Sequence, residues 1–235
     1  MKVGDSIELQ CDSWSFDDAA ANFDDHIARS VPQVVSQREF IARLARFFLP
    51  ENARIYELGV ATGRLAERVL ARSRGRELRY VGLDNSPAML ALARRNLAAD
   101  SRFSAELDDV ATYSFEPATL ILSYYTLQFV PAGARADLLR RIFQALTPGG
   151  AFVLYEKTLA TNARVQDLMT QLYTEFKLEQ GFSAEEVINK AHTLQGIADP
   201  RSSAWNLSML REAGFAAVDI VFRDHCFEGY LAIKD

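Results

Sequence analysis

The sequence predicts an α/β fold, a doubly wound and mostly parallel sheet of seven strands with a C-terminal antiparallel hairpin and a helical lid. Three observations predict it. From Arg54 onward, short apolar runs alternate with amphipathic stretches of helical period, the pattern of parallel strands joined by helical crossovers. A glycine-bearing turn, Gly59 to Gly63, separates the first strand from the first of these helices. At the other end, Ala217 to Phe222 and Phe227 to Ile233 are two strand-like runs a few residues apart, close enough to pair as a hairpin.

Taken in order, the first fifty residues read as helices. Trp14, Phe16, Phe23, Ile27 and Val31 recur at near-helical spacing, and Pro32 breaks the run. A second amphipathic stretch, Val34 to Leu49, sets Phe40, Ile41, Leu44, Phe47 and Phe48 on one face and is closed by Pro50. Arg54 to Leu58 is a short buried strand, and Arg64 to Ser73 a helix with Leu65, Val69 and Leu70 on one side. Leu78 to Leu83 is the second strand; Ser86-Pro87 then opens a helix, with proline in the first turn. Arg102 to Leu107 is a weak third strand and Ala118 to Ser123 a clear fourth. Ala134 to Leu146 is a helix that Thr147-Pro-Gly-Gly150 ends, and Ala151 to Tyr155 is the fifth strand. Residues 158–198 interrupt the alternation with two helices hinged near Gly181-Phe-Ser183, and Ser203 to Glu212 is a helix capped by Gly214.

The composition agrees with such a domain and excludes other classes. The chain has 235 residues, 26 basic and 31 acidic, for a net charge of −5, with 49% hydrophobic and 24% charged residues. That is the balance of a globular protein, not of a disordered, fibrous or membrane one. A general nucleic-acid binder needs a basic footprint that an acidic chain lacks. Cys11 and Cys226 are too few for a disulfide framework and have no C-x-x-C spacing, so two thiols are preferred over a bridge between them. The N-terminus has no basic stretch followed by an apolar run, and no apolar segment is long enough to span a bilayer. Neither a signal peptide nor a membrane contact is expected, and a cytoplasmic location is.

The chemistry-bearing residues cluster at strand ends. Glu57-x-Gly59-x-x-x-Gly63 follows a strand and opens a helix. Glycines there let a ligand approach the backbone, and the helix N-terminus offers free N–H groups. Ala61 stands where a dinucleotide fingerprint has its middle glycine, which counts against a pyrophosphate ligand. Asp84 ends the second strand, where a carboxylate can accept both hydroxyls of a ribose. Asp109 follows the third, where it can meet an adenine amino group. Each aspartate alone reads as a cap; together with the glycine turn they read as a ligand set. His26, His192 and His225 are scattered, so no metal is expected. Neither a G-x-S-x-G elbow nor a P-loop occurs.

Glu57-Leu-Gly-Val-Ala-Thr-Gly63, Leu83-Asp-Asn-Ser-Pro-Ala-Met89, Thr126-Leu-Gln-Phe129 and Leu146-Thr-Pro-Gly-Gly150 resemble the class I S-adenosylmethionine-dependent methyltransferases, which are Rossmann-like. More narrowly the chain is similar to the carboxy-S-adenosylmethionine synthase branch, through Asp84 to Met89, Thr126 to Phe129, Trp14-Ser-Phe-Asp17, Arg29 to Pro32, Glu156-Lys157, Phe176-Lys177 and Ala213-Gly-Phe215. The resemblance implies S-adenosylmethionine as cofactor, with no metal. Glu57, Gly59, Val60, Ala61 and Gly63 would face its methionine part, Asp84 and Asn85 its ribose and adenine, and Asp109 with Val110 its adenine. It also implies a homodimer and one domain over 1–235: an N-terminal helical lid (1–50), a cofactor-binding core (51–157 and 199–235) and a helical insertion (158–198).

The chain departs from that branch at three pocket positions. An arginine that holds the branch's extra carboxylate aligns with Met209, a tyrosine with Val34, and an asparagine with Tyr124. An aliphatic side chain offers none of the donors of a guanidinium; Arg201 or Arg211 would compensate only by pointing into the pocket. What remains is a closed, apolar and aromatic pocket of Val34, Tyr124, Phe129, Phe176 and Met209 with Tyr125 and Tyr173. Tyr124, Tyr173 and Ser203 are the candidate catalytic residues, Tyr124 also as a cofactor contact whose ring face can stabilise a sulfonium. Asn206, on the helix of Met209, is a candidate polar contact. The expected activity is methyl transfer to a small molecule. The alternative is acceptor-free cyclisation of S-adenosylmethionine to azetidine-2-carboxylate and methylthioadenosine, as in natural-product biosynthesis. A non-catalytic cofactor-binding module is the third reading.

Overall fold

The structure is a computed structural model that describes Gly4 and residues 20–235; Cys11, Trp14 and Phe16 lie outside the described residues. Eight strands form the sheet: β1 (Ala53–Leu58), β2 (Leu78–Asp84), β3 (Phe103–Leu107), β4 (Ala118–Tyr124), β5 (Leu146–Leu159), β6 (Arg201–Ser202), β7 (Ala217–Asp224) and β8 (Phe227–Ile233). Seven lie in the order β3-β2-β1-β4-β5-β8-β7, and β6 adds to the far end of β5. Strands β1 to β5 are parallel to their neighbours, while β8 pairs antiparallel with both β5 and β7.

Alternation along each central strand explains the two layers of helix. Ile55, Tyr80, Leu120, Leu122 and Val153 face one side, against Ile41, Ala42 and Ala45 of α2 (Val34–Ala45), Leu65 and Val69 of α3 (Arg64–Arg72) and Leu90 of α4 (Pro87–Asn96). Their sequence neighbours Tyr56, Val81, Ile121, Phe152 and Leu154 face the other. There they meet Leu138, Leu139 and Ile142 of α5 (Ala132–Ala145) and Leu210 of α8 (Ser203–Glu212). A sheet buried on both faces is what parallel crossovers produce. Before α2 lies α1 (Phe23–Ser30), and between β5 and β6 lie α6 (Ala163–Glu179) and α7 (Ala184–Leu194).

Two readings of the sequence are corrected. Thr147 to Gly150 do not end a helix in a loop but begin β5. Gly149 takes φ of +74°, and its N–H donates to the Lys234 carbonyl at 2.7 Å. The last residues of the chain therefore draw the turn signal into the sheet, across a register shift opposite Ala118 and Leu120. At its other end β5 runs past Tyr155 to Leu159, because Thr158 and Leu159 pair with β6. A two-residue strand leaves no periodicity to read.

Candidate functional site

A cavity of about 890 Å³ lies at the carboxyl ends of β1, β2 and β4, beneath α1, α6 and α7. Its first wall is the turn after β1. Three residues there take positive φ, Gly59 at +69°, Ala61 at +47° and Gly63 at +82°. Gly59 has no room for a side chain, since a Cβ would overlap Thr126, whose hydroxyl donates to the Leu58 carbonyl at 2.7 Å. Ala61, bent into a conformation that L-residues rarely adopt, is held there by Asp84: its N–H donates to Oδ2 at 2.8 Å, and the Ser86 N–H donates to Oδ1 at 3.0 Å. Asp84 thus fixes the turn as well as facing the cavity. Asn85, Asp109 and Val110 line the same end, and Asp109 also caps its own turn by accepting from the Ala111 N–H at 2.9 Å. Glu57 is buried at the floor, accepts from the Tyr80 hydroxyl at 2.5 Å, and burial pushes its carboxyl up to about 8. Gly63 shapes the turn without lining the cavity, and a Cβ there would crowd Leu97 and Ala93.

This end fits an adenosyl amino acid. It offers a backbone turn stripped of side-chain bulk and carboxylates at two successive strand ends. It also presents the Arg38 guanidinium, whose buried Nε has no partner among the described residues. An unsatisfied buried guanidinium nitrogen beside the turn suits a ligand carboxylate.

The middle of the cavity is an aromatic cage. Tyr124 and Tyr125 both donate their hydroxyls to Oε1 of Gln37, at 2.9 and 2.8 Å, and the Gln37 Nε2 donates to the Pro32 carbonyl at 2.7 Å. The two rings sit 4.6 Å apart, Tyr125 lies edge-on to Phe227 at 5.5 Å, and Phe227 to Tyr173 at 5.2 Å. Tyr125 has φ of +61°, a strained conformation for a bulky residue that here turns the chain back under the cage. The Tyr173 hydroxyl donates to the Ser30 carbonyl at 2.9 Å.

Of the residues singled out in the sequence, Glu57, Gly59, Val60, Ala61, Asp84, Asn85, Asp109, Val110, Tyr124, Phe129 and Tyr173 line this one cavity. Val34 packs with Val31, Cys226 and Phe227, and Phe176 stacks on Tyr173, neither lining the cavity itself. The remaining three are corrected. Ser203 donates to Glu228 Oε1 at 2.8 Å, Asn206 to the Tyr230 hydroxyl at 3.2 Å, and Met209 is buried in the core on the α5 side of the sheet. None of the three lines the cavity, because the apolar face of α8 packs on the sheet and carries them with it. Arg201 and Arg211 are likewise absent from the wall, the former paired with Asp199. The pocket is also not purely apolar. Arg38, Lys157, Lys177 and Lys190 line it, a feature hidden in the sequence because these residues come from four elements. Among the described residues, no group of three or more His, Cys, Asp or Glu is placed to hold a metal ion, and no helix is long and apolar enough to cross a membrane. Cys226 is a buried free thiol on the cavity wall.

Comparison with known proteins agrees with this geometry. The methyltransferase domain family matches residues 55–150. The carboxy-S-adenosyl-L-methionine synthase of Staphylococcus epidermidis is 33% identical over 223 residues, covering 94% of this chain and 97% of that protein. The same enzyme of Wolinella succinogenes is 34% identical, covering 94% and 93%. Among solved structures, human N-acetylserotonin methyltransferase in complex with SAM superposes with a TM-score of 0.66 at 18% identity, over 93% of this chain and 55% of that one. The pyocyanin biosynthetic protein PhzM superposes at 0.62 and 18%, over 93% and 64%.

Proposed function

Because the chain belongs to the class I S-adenosylmethionine-dependent methyltransferase superfamily, in the branch of the carboxy-S-adenosyl-L-methionine synthases, we propose that it transfers a methyl group from S-adenosylmethionine to a small molecule held beside the aromatic cage. The observation that carries this reading is the extent of the cavity. It runs past the Gly59–Gly63 turn and the cage to residues of α6 and α7 such as Met169 and Ala191, which leaves space for an acceptor.

In this reading the bound cosubstrate supplies an electrophilic methyl group on a positively charged sulfur. The chain's own residues do the rest. Asp84 and Asn85 orient the ribose, Asp109 and Val110 the adenine, and Arg38 pairs with the amino-acid carboxylate. The ring of Tyr124, which lines the cavity, would stabilise the sulfonium through its face, a contact worth about 0.5–2 kcal/mol depending on desolvation. Alignment of the nucleophile is the main gain, with water excluded by α1, α6 and α7.

Acceptor-free cyclisation is the second reading, and one observation favours it. Both cage tyrosines donate their hydroxyls to Gln37 and burial keeps both phenols protonated, so neither offers the cosubstrate a phenolate as a competing nucleophile. Incubation of the protein with S-adenosylmethionine alone, and then with a deproteinised cell extract, separates the two by mass spectrometry. Adenosylhomocysteine that appears only with the extract supports methyl transfer. Methylthioadenosine together with azetidine-2-carboxylate from the cosubstrate alone sinks it in favour of cyclisation. A carboxylated cosubstrate, the product named for the relatives, would sink both.

A further inference from the structure

The far end of the cavity gathers cations in a chain that uses few lysines. Five of its 26 basic residues are lysines and the rest are arginines, yet Lys157 of β5, Lys177 of α6 and Lys190 of α7 all line this cavity. Arginine stays charged in proteins, whereas a buried lysine readily gives up its proton.

The packing around these three lysines sets the charge states of Lys177 and Lys190. Tyr173 lies between two of them, with Lys177 Nζ 4.3 Å and Lys157 Nζ 4.9 Å from its ring centroid. Ring contacts favour the charged amine. Burial and like charge oppose it. Half-buried Lys177 is pushed down to about 8 by desolvation and then by Lys157, and half-buried Lys190 to about 7 by desolvation and then by Lys177. The other titratable groups around the pair are His26 of α1, Glu186 of α7 and Cys226. Glu186 accepts from the Ser183 N–H at 2.8 Å in the cap of its own helix.

We propose that the Lys177–Lys190 pair is the proton acceptor of the reaction, and that the acceptor molecule is one whose reacting heteroatom carries both a lone pair and a proton at neutral pH, a phenol. The proposal rests on the transfer reading above. As the heteroatom's lone pair bonds the methyl carbon, its proton passes to the neutral lysine amine. The carbon–sulfur bond breaks with its electrons going to sulfur, and the lysine returns the proton to water. Two neighbouring amines that share fewer protons than sites behave as one base, and a base near the working pH is the effective kind.

Competitive labelling with acetic anhydride between pH 6 and 10, resolved by peptide mass spectrometry, reads the pair without turnover. Labelling midpoints between about 7 and 8 for Lys177 or Lys190 are expected, with an unstructured lysine peptide added as the comparison. Lys177→Met should move the Lys190 midpoint upward by removing the charge that depresses it. Midpoints for both near the ordinary lysine value of about 10.4 overturn the proposal. In turnover, Lys177→Arg and Lys190→Arg retain the charge but cannot act as the base. The double variant is expected to lose about 100-fold in rate while keeping its affinity for S-adenosylmethionine. Full rate with both arginines would show that the pair holds an anion, and would equally overturn the base. Failure of the parent reading shows separately, as a cosubstrate left intact by the wild-type protein.

Discussion

Asp84 concentrates two demands on one carboxylate. Its oxygens hold the Ala61 and Ser86 N–H groups, and its face looks into the cavity. Asp84→Asn keeps the shape but turns an NH2 toward one of those donors. The expected cost is about 1–3 kcal/mol of stability, the range for an unsatisfied buried polar group. A loss of S-adenosylmethionine affinity of at least tenfold should accompany it, by calorimetric titration; unchanged affinity would remove Asp84 from the ligand set. Glu57 and Glu156 make a prediction of opposite chemistry. Burial lifts each from the ordinary 4.5 to about 8, so the folded chain keeps protons that the unfolded chain gives up across that interval. Stability then falls as pH rises from about 5 to 8. Denaturant titrations at the two pH values should show this decline in the wild type and a flatter response in Glu57→Gln with Glu156→Gln. An equal slope in both proteins would mean that other groups set it.

At the scale of elements, legibility follows how local each determinant is. Ser86-Pro87 marks the start of α4 because the cap is local: the Ser86 hydroxyl accepts from the Met89 N–H, with proline in the first turn. The Ser203–Glu212 helix and the Phe227–Ile233 strand are equally self-contained, and their sequence bounds are those of the structure. The orientation of α8 was not legible, and with it went Ser203, Asn206 and Met209. A helix's period identifies its apolar face, not whether that face meets a cavity or a sheet. Gln37 was missed for a related reason. It sits on the buried face of α2 as a polar residue among apolar ones, and its partners Tyr124 and Tyr125 lie far along the chain. Gln37→Leu should leave both hydroxyls without an acceptor and cost about 1–3 kcal/mol in chemical denaturation. A loss below 0.5 kcal/mol, within the usual range of surface changes, would show that the cage stands without its glutamine. Ser183→Ala, which removes the capping box of α7, is expected to cost about 1 kcal/mol.

Across the whole molecule, stability and chemistry are distributed unevenly. Residues of β1, β4 and the middle of β5 are almost wholly buried between two helical layers, whereas α6 has no buried residue and α7 only Val187. Val165, Leu168 and Leu172 of α6 and Ile188 of α7 are exposed. The insertion therefore contributes little apolar burial of its own, yet it supplies Tyr173, Lys177 and Lys190 to the cavity. Segments with few buried contacts open at lower free energy than the core, and a ligand that bridges them to the core raises that free energy by mass action. Hydrogen exchange should accordingly be fastest in α6 and α7 and slowest in β1, β4 and β5 for the free protein. S-adenosylmethionine alone touches the glycine-turn end and should protect the Gly59–Gly63 turn and the start of α4 first. Strong protection of α6 and α7 should require a molecule at the lysine end as well. If S-adenosylmethionine alone protects α6 and α7 as strongly as the turn, the cosubstrate itself fills the far end. The cavity would then be sized for one ligand, and the balance would move to cyclisation.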